Sequence, residues 1–412
     1  MKSETKNKMK KQLLFMAIAG LFTSMASATD LIVRDAGAGG AYATITAAIT
    51  AANDGDRIII RPKVGNVPYQ ESVLVNKSLT FVTEIQGDKY EINGTITIEA
   101  MENRTVTIQD AYIVNTQSIT MSGAVSGSRQ NVNILNCFVA GNINLGTPGV
   151  TATITGSDCA AISIVHGIVT ANATKRITLV DDTFAIAGTG DVYIIANKVS
   201  YPASGNYVDN LVTLGSGKYA FHVMNNFIND GLGGPSLTVT KVKAATTNEI
   251  YNNFLYTNKV NEYGITISAA DIANISIVNN AFDFGSTAGV INSLSSAPYV
   301  LVQYNINEAS TLGTSFISTN VDVNTNNISG PYNFSSNTGV ASGTIINGGN
   351  PDNTFADIDL TRSDMGPTGG SYAWSNYWTG VTSKPHVFFL NTPRTIFNGT
   401  TTFSSNGTAV TK

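Results

Sequence analysis

The chain has 412 residues, of which 42% are apolar, only 13% are charged and the formal net charge is −4. Charged content is about half that of an ordinary globular protein, and the mild acidity excludes a phosphate-gripping nucleic-acid binder or a partner of anionic membranes. Thr, Asn, Ser and Gly fill the deficit, which suits long β-structure with polar turns.

In chain order, residues 1–28 read as an export leader. Lys8, Lys10 and Lys11 form a basic start, Leu13 to Phe22 an apolar core, and Ala26-Ser27-Ala28 a small-residue cleavage site. The apolar run is too short for a membrane span. The leader predicts an exported protein, extracellular, on the cell surface or in a periplasm. The leader also carries five Lys and one Glu, so the remainder is more acidic than the whole.

Residues 42–52 predict a short amphipathic helix, with Ile45, Ala48, Ile49 and Ala52 on one face and Asn53-Asp54-Gly55-Asp56 as its stop. A strand follows at once from Arg57 to Arg61. From there to about residue 345 come short alternating strands bounded by Gly, Asn, Asp or Ser, with no helical stretch between them. Within them one phrase returns: Val223-Met224-Asn225-Asn226, Ile250-Tyr251-Asn252-Asn253, Ile277-Val278-Asn279-Asn280 and, more loosely, Val302-Gln303-Tyr304-Asn305. Successive copies stand 27, 27 and 25 residues apart. A constant period in the twenties means one structural unit stacked on itself.

The expected fold is therefore all-β: a single right-handed parallel β-helix over residues 29–345, of about 12 coils at ~26 residues each. A short N-terminal helix caps it, and residues 346–412 form an irregular C-terminal cap and tail. The Asn pairs are expected to turn the chain, because Asn tolerates the left-handed backbone, and to hydrogen-bond from coil to coil. Cys137 and Cys159 lie 22 residues apart and look like the same place in successive turns. A strand spacing of about 4.7–4.9 Å suits either a disulfide or two stacked thiols.

The stretch Tyr42-Ala43-Thr44-Ile45-Thr46-Ala47-Ala48-Ile49, then Gly55-Asp56-Arg57-Ile58-Ile59-Ile60, then Tyr69-Gln70-Glu71-Ser72-Val73, resembles the opening of pectin methylesterases and of other pectate-lyase-like β-helix proteins. Asp357-Ile358-Asp359-Leu360-Thr361-Arg362 and the following Ser363 to Gly370 look like the closing segment of secreted β-helix repeat proteins of Bacteroidetes-type bacteria. The resemblance implies the fold and does not by itself imply an activity. The esterase family uses two carboxylate-bearing segments. Asn136-Cys137-Phe138-Val139-Ala140-Gly141 resembles the lead-in to the first, but Asn142-Ile143-Asn144-Leu145 follows it without an Asp, and Asp283-Phe284-Gly285 is a truncated likeness of the second.

Three groups stand out as candidate sites. Asp181 and Asp182, with Lys175 upstream and Asp158 a coil away, offer carboxylates for Ca²⁺ and a base for a uronic acid; the alternative is Asp in the turn position held elsewhere by Asn. Asp357, Asp359 and Asp364 form a denser acidic patch that would hold Ca²⁺ or simply bond turn amides. Tyr372, Trp374, Tyr377 and Trp378 would either stack on sugar rings or pack the tail onto the rod. His166, His222 and His386 are far apart in sequence and show no His–carboxylate pattern. The expected function is a non-catalytic exported protein binding polysaccharide or another cell-surface component, with a divergent lyase or esterase acting on a uronic-acid polymer as the alternative. The distinguishing feature is one sheet face. Clustered carboxylates beside a Lys or Arg favour an enzyme, and a face of Thr, Asn and Ser favours binding.

Overall fold

A computed structural model describes residues 28–200, 210–230, 235–257, 263–284, 290–308, 320–378, 386–391 and 406–410. The leader, apart from Ala28, lies outside the described residues, as does Gly285.

The chain winds into a parallel β-solenoid of about 11 turns. Each full coil contributes a strand to each of three parallel sheets. Among the described residues the first sheet has 13 strands, from Asp30–Val33 to Val323–Thr325. The second runs from Tyr90–Ile92 to Ile328–Ser329, and the third from Val73–Val75 to Ile291–Ser293. Two long strands, Phe138–Leu145 and Asp158–Ile164, serve the second and third sheets together. Inward side chains make one continuous apolar core from Leu31 to Val302. Neighbouring coils bury each other's faces, so no coil has a core of its own.

A helix, α1 (Ile45–Ala51), closes the N-terminal end with Ile45, Ala48 and Ile49 buried. It is shorter than the periodicity predicts because Thr44 is its N-cap, accepting the Ala47 N–H at 3.1 Å. The first coil holds both ends. The Glu71 carboxylate accepts the Ile45 and Thr46 amides at 2.8 and 2.9 Å, and Lys77 Nζ donates to the Ile49, Thr50 and Ala52 carbonyls. Negative charge at the N-terminus and positive at the C-terminus complement the helix dipole.

The two-residue corner between the first and second sheets explains the repeated Asn pair, with the two members doing different work. The first adopts the left-handed backbone, at Asn225, Asn252 and Asn279 with φ of 54–57°, and at Asp110, Asn136, Ala171, Ala196, Tyr304 and Asn326 likewise. The second points inward. Asn172, Asn197, Asn226, Asn253, Asn280, Asn305 and Asn327 form a ladder in which, from Asn172 to Asn305, each Nδ2 and each backbone N–H donates to the Oδ1 one coil on, at 2.9–3.0 Å. Each Nδ2 also donates to a carbonyl of the preceding coil, as Asn253 does to Val223 at 2.8 Å. A buried amide needs all these partners, and the ladder supplies them.

The cysteines are not equivalent. Cys137 occupies the ladder position and its N–H donates to Ser157 Oγ at 3.1 Å, whereas Cys159 pairs with Val139, farther along the second sheet. Both thiols are free and buried, and burial pushes them up to about 11 and about 12.

Residues 346–378 are less an end cap than a strap along the outside of the same corner. Asn225 Nδ2 donates to the Pro367 and Gly369 carbonyls, Asn252 Nδ2 to Asp364 O at 2.8 Å, and the Asn350 N–H to Asn279 Oδ1 at 2.7 Å. A Cβ on Gly369 would sit 2.1 Å from Asp364 O and 2.5 Å from Asn252 Nδ2, so this approach requires glycine. A small antiparallel hairpin, Tyr332–Phe334 with Ala341–Gly343, precedes the strap. Phe227, Phe254, Ala281 and Ile306 face outward on the second sheet and are covered by Tyr332, Phe334 and Trp374. A second hairpin, His386–Asn391 with Asn406–Val410, follows later in the chain. No helix of the described residues is long and apolar enough to cross a membrane.

Candidate ligand-binding face

The third sheet turns an unusual face outward. Its strands are centred on apolar–polar–apolar triplets such as Ile96-Thr97-Ile98, Ile177-Thr178-Leu179 and Ile265-Thr266-Ile267, whose flanking residues are buried. Strict alternation sends the central residue outward. In register these central residues form an unbroken column: Thr97, Thr120, Asn144, Ser163, Thr178, Thr213, Thr238, Thr266 and Asn292. Thr238 is buried and the others are partly or fully exposed. Each rung's side chain can both donate and accept hydrogen bonds, and rungs recur every ~4.8 Å; among the described residues the buried Thr238 Oγ1 has no partner. The column contains no charged side chain. The sequence carries its signal in most coils, a Thr, Ser or Asn between two aliphatics as at Ile143-Asn144-Leu145 and Val212-Thr213-Leu214, but the more conspicuous Asn pairs mask it.

Asp181 lies at one edge of this face. Its carboxylate accepts from Lys241 Nζ at 2.6 Å and from the Gly217 N–H at 2.9 Å. Burial raises its pKa, but the Lys241 and Gly217 bonds outweigh burial and hold it below the usual value. Asp182 points the other way and is buried. It accepts from Arg129 Nη1 at 2.7 Å, Tyr219 Oη at 2.8 Å, and the Gly149 and Phe184 amides at 3.1 Å. Again burial opposes and these donors win, keeping the carboxylate ionised. Neither aspartate sits at the Asn corner. Both follow the third-sheet strand Ile177–Leu179, where residues 180–191 cross to the first sheet. Lys175 is exposed at the opposite end of that strand, so it and the aspartates are not brought together. Asp158 starts a second-sheet strand and is separate from both.

Residues 180–191 close over His166. The Gly188 N–H donates to Tyr219 Oη at 2.7 Å, and a Cβ on Gly188 would meet the imidazole at 2.5 Å. The ring packs 4.2 Å from Tyr219, and burial, then Arg129, pushes its pKa down to about 4, leaving it neutral.

His222 has two carboxylate partners that no pattern in the sequence signals. On the outer face of the first sheet its Nδ1 lies 2.5 Å from Glu249 Oε2 and its Nε2 3.1 Å from Asp191 Oδ2, and its ring stacks on Tyr193 at 4.7 Å. The three groups come from successive coils 27–31 residues apart, which is why sequence proximity does not reveal them. Burial opposes the charged form, but the two carboxylates prevail and raise the imidazole to about 9. A raised folded-state pKa stabilises fully below the unfolded value near 6.5, and that contribution is lost as pH rises through about 9. After discounting for the part-exposed carboxylates, stability falls by about 1–2 kcal/mol across that window. His222→Gln is expected to flatten this slope in denaturation curves recorded at several pH values; an unchanged slope would assign it to other groups.

In the strap, Asp357 accepts the Asp364 N–H at 3.2 Å and the Gly370 N–H at 2.5 Å. Burial raises it to about 6. Asp359 bonds Thr361 within its own turn, and Asp364 accepts the Asn347 N–H at 2.7 Å. The three thus staple turns; among the described residues no group of three or more His, Cys, Asp or Glu is placed to hold a metal ion. The aromatic quartet packs on the corner. Trp374 is fully buried against Phe227, Phe334 and Trp378, and Trp378 Nε1 donates to Ala196 O at 2.7 Å. Tyr372 and Tyr377 pack on Ile195, Ala196 and Met224. Trp374 therefore has no free face for a sugar ring.

No family model matches this chain, and no curated protein matches it.

Proposed function

We propose that this is a non-catalytic β-helix protein that binds an extended polysaccharide, or a similarly polar component of a cell surface, along the outer face of its third sheet. The observation that carries this reading is the Thr/Ser/Asn column from Thr97 to Asn292. Its spacing is close to the advance of one pyranose residue in an extended glycan, and its hydroxyls and amides suit neutral sugar hydroxyls. Flat contact with many weak rungs gives avidity along a polymer without a deep pocket. Action outside the cytoplasm rests on the leader-like segment. A lyase or esterase would need a free base or nucleophile beside the polymer, whereas Asp181, Asp182, Asp191 and Glu249 are each already paired.

Affinity electrophoresis against a panel of polysaccharides, pectin and alginate included, tests the reading. At least one polymer is expected to retard the chain. Thr178→Val combined with Thr213→Val is expected to weaken that binding roughly tenfold, at about 0.5–1.5 kcal/mol per lost hydrogen bond, with an unchanged melting temperature. Equal binding by the double variant, or turnover of any polymer, would overturn it.

A further inference from the structure

The outer face of the second sheet holds an arrangement that neither the core nor the proposed binding face uses. Tyr256 and Asp283 are register partners on adjacent strands. The Glu308 N–H donates to the Phe282 carbonyl, which seats Glu308 beside Asp283 on the next coil. Two carboxylates therefore face outward one rung apart, about 4.8 Å along the stack. Among the described residues neither accepts a hydrogen bond or an ion pair. Burial, and then Glu308, push the Asp283 carboxyl up to about 6. This differs from Asp181, Asp182 and Asp191, each of which has a cationic partner.

The second observation is independent of the carboxylates. Tyr332, on the hairpin laid over this sheet, is 4% exposed, and its hydroxyl has no hydrogen-bond partner among the described residues. Its ring is anchored edge-on against Phe254, and its hydroxyl lies within electrostatic reach of both Asp283 and Glu308. A buried phenol normally finds a partner. Like charges stacked on adjacent strands repel, and among the described residues no cationic side chain pairs with either carboxylate.

We propose that Asp283 and Glu308, with the Tyr332 hydroxyl, hold a hard divalent cation of the calcium type between the second sheet and the hairpin. The donor set is entirely oxygen, two charges match one divalent ion, and Ca²⁺ tolerates irregular ligand sets completed by water. Such a cation would pin the hairpin that leads into the strap.

The test uses the purified full chain after chelator treatment. Millimolar calcium chloride is expected to raise its melting temperature by at least about 2 °C over sodium chloride of equal ionic strength. Titration calorimetry should give one strong site per chain. Asp283→Asn and Glu308→Gln should each abolish the calcium response while leaving the chelated protein at least as stable, since the repulsion is gone. Tyr332→Phe should weaken calcium binding severalfold. Asp357→Asn should leave the response intact, which separates this site from the acidic turns of the strap. Absence of a calcium response in the parent chain, or a response that survives in Asp283→Asn with Glu308→Gln combined, would overturn the proposal.

Discussion

Asn253→Val is expected to lower stability by about 2–4 kcal/mol, among the larger losses available from one side chain of this size. Val fills nearly the same space and suits an extended backbone, so neither packing nor propensity explains the loss. The loss arises from orphaned polar groups. Asn253 Oδ1 accepts the Asn226 N–H at 3.0 Å and Asn226 Nδ2 at 2.9 Å, and Asn253 Nδ2 donates to Val223 O, Tyr251 O and Asn280 Oδ1. Removing the amide leaves the Asn226 N–H buried without an acceptor, and removes a bond from four further groups: Asn226 Nδ2, Val223 O, Tyr251 O and Asn280 Oδ1. The neighbouring class of Asn behaves differently. Asn326 is exposed and holds φ of 59°, a conformation Gly adopts freely, so Asn326→Gly is expected to change stability by less than about 1 kcal/mol. Denaturant midpoints of the two variants settle the matter: equal shifts would mean that the inward and outward members of the pair are not physically distinct.

Trp374→Ala is expected to cost about 3–5 kcal/mol, the usual range for emptying a buried Trp site, with the loss confined to the strap. Trp374 is fully buried, stacks on Trp378 at 5.2 Å, meets Phe334 edge-on at 6.0 Å and donates its indole N–H to Ser336 O at 3.2 Å. Its contacts join the strap to the hairpin and to the outward face of the second sheet, whereas the solenoid core is a separate cluster. Local opening should therefore outrun global unfolding. Limited proteolysis is expected to cut the variant beyond residue 345 well before the parent, and hydrogen exchange should rise at the Pro367, Gly369 and Trp374 end of the strap while the ladder amides stay protected. Uniform loss of protection along the solenoid would show instead that the strap and the coils unfold as one unit.

The solenoid was legible in the sequence because its causes are local and periodic. A strand needs alternation, a sharp corner needs a residue that tolerates positive φ, and both recur every coil, as at Asn225-Asn226 and Asn252-Asn253. Cap helix α1 was legible for the same reason, through Ile45, Ala48 and Ile49, although its first turn depends on Thr44 and on Glu71 from the coil beneath.

Register was not legible. Coils of unequal length shift the alignment, so Cys137 and Cys159 fall at different places although they are nearly one period apart. The same variation hid the Asp191–His222–Glu249 row and the Asp283–Glu308 pair, whose members come from different coils. Spacing alone also placed Lys175 near Asp181 and Asp182, but a strand runs between them and separates its two ends.

By itself, then, the amino-acid sequence determined the architecture: short alternating strands, Asn corners and a stacked core, each dictated by residues a few positions apart. The tertiary structure alone decided which side chains meet across coils. It turned the Asn pair into one outward turn residue and one inward ladder rung, turned the tail aromatics into packing for a strap, and aligned Thr97 through Asn292 into one face. The physical reason is that strand pairing between coils is set by loop lengths and by burial summed over the whole stack, and neither is encoded within any single repeat.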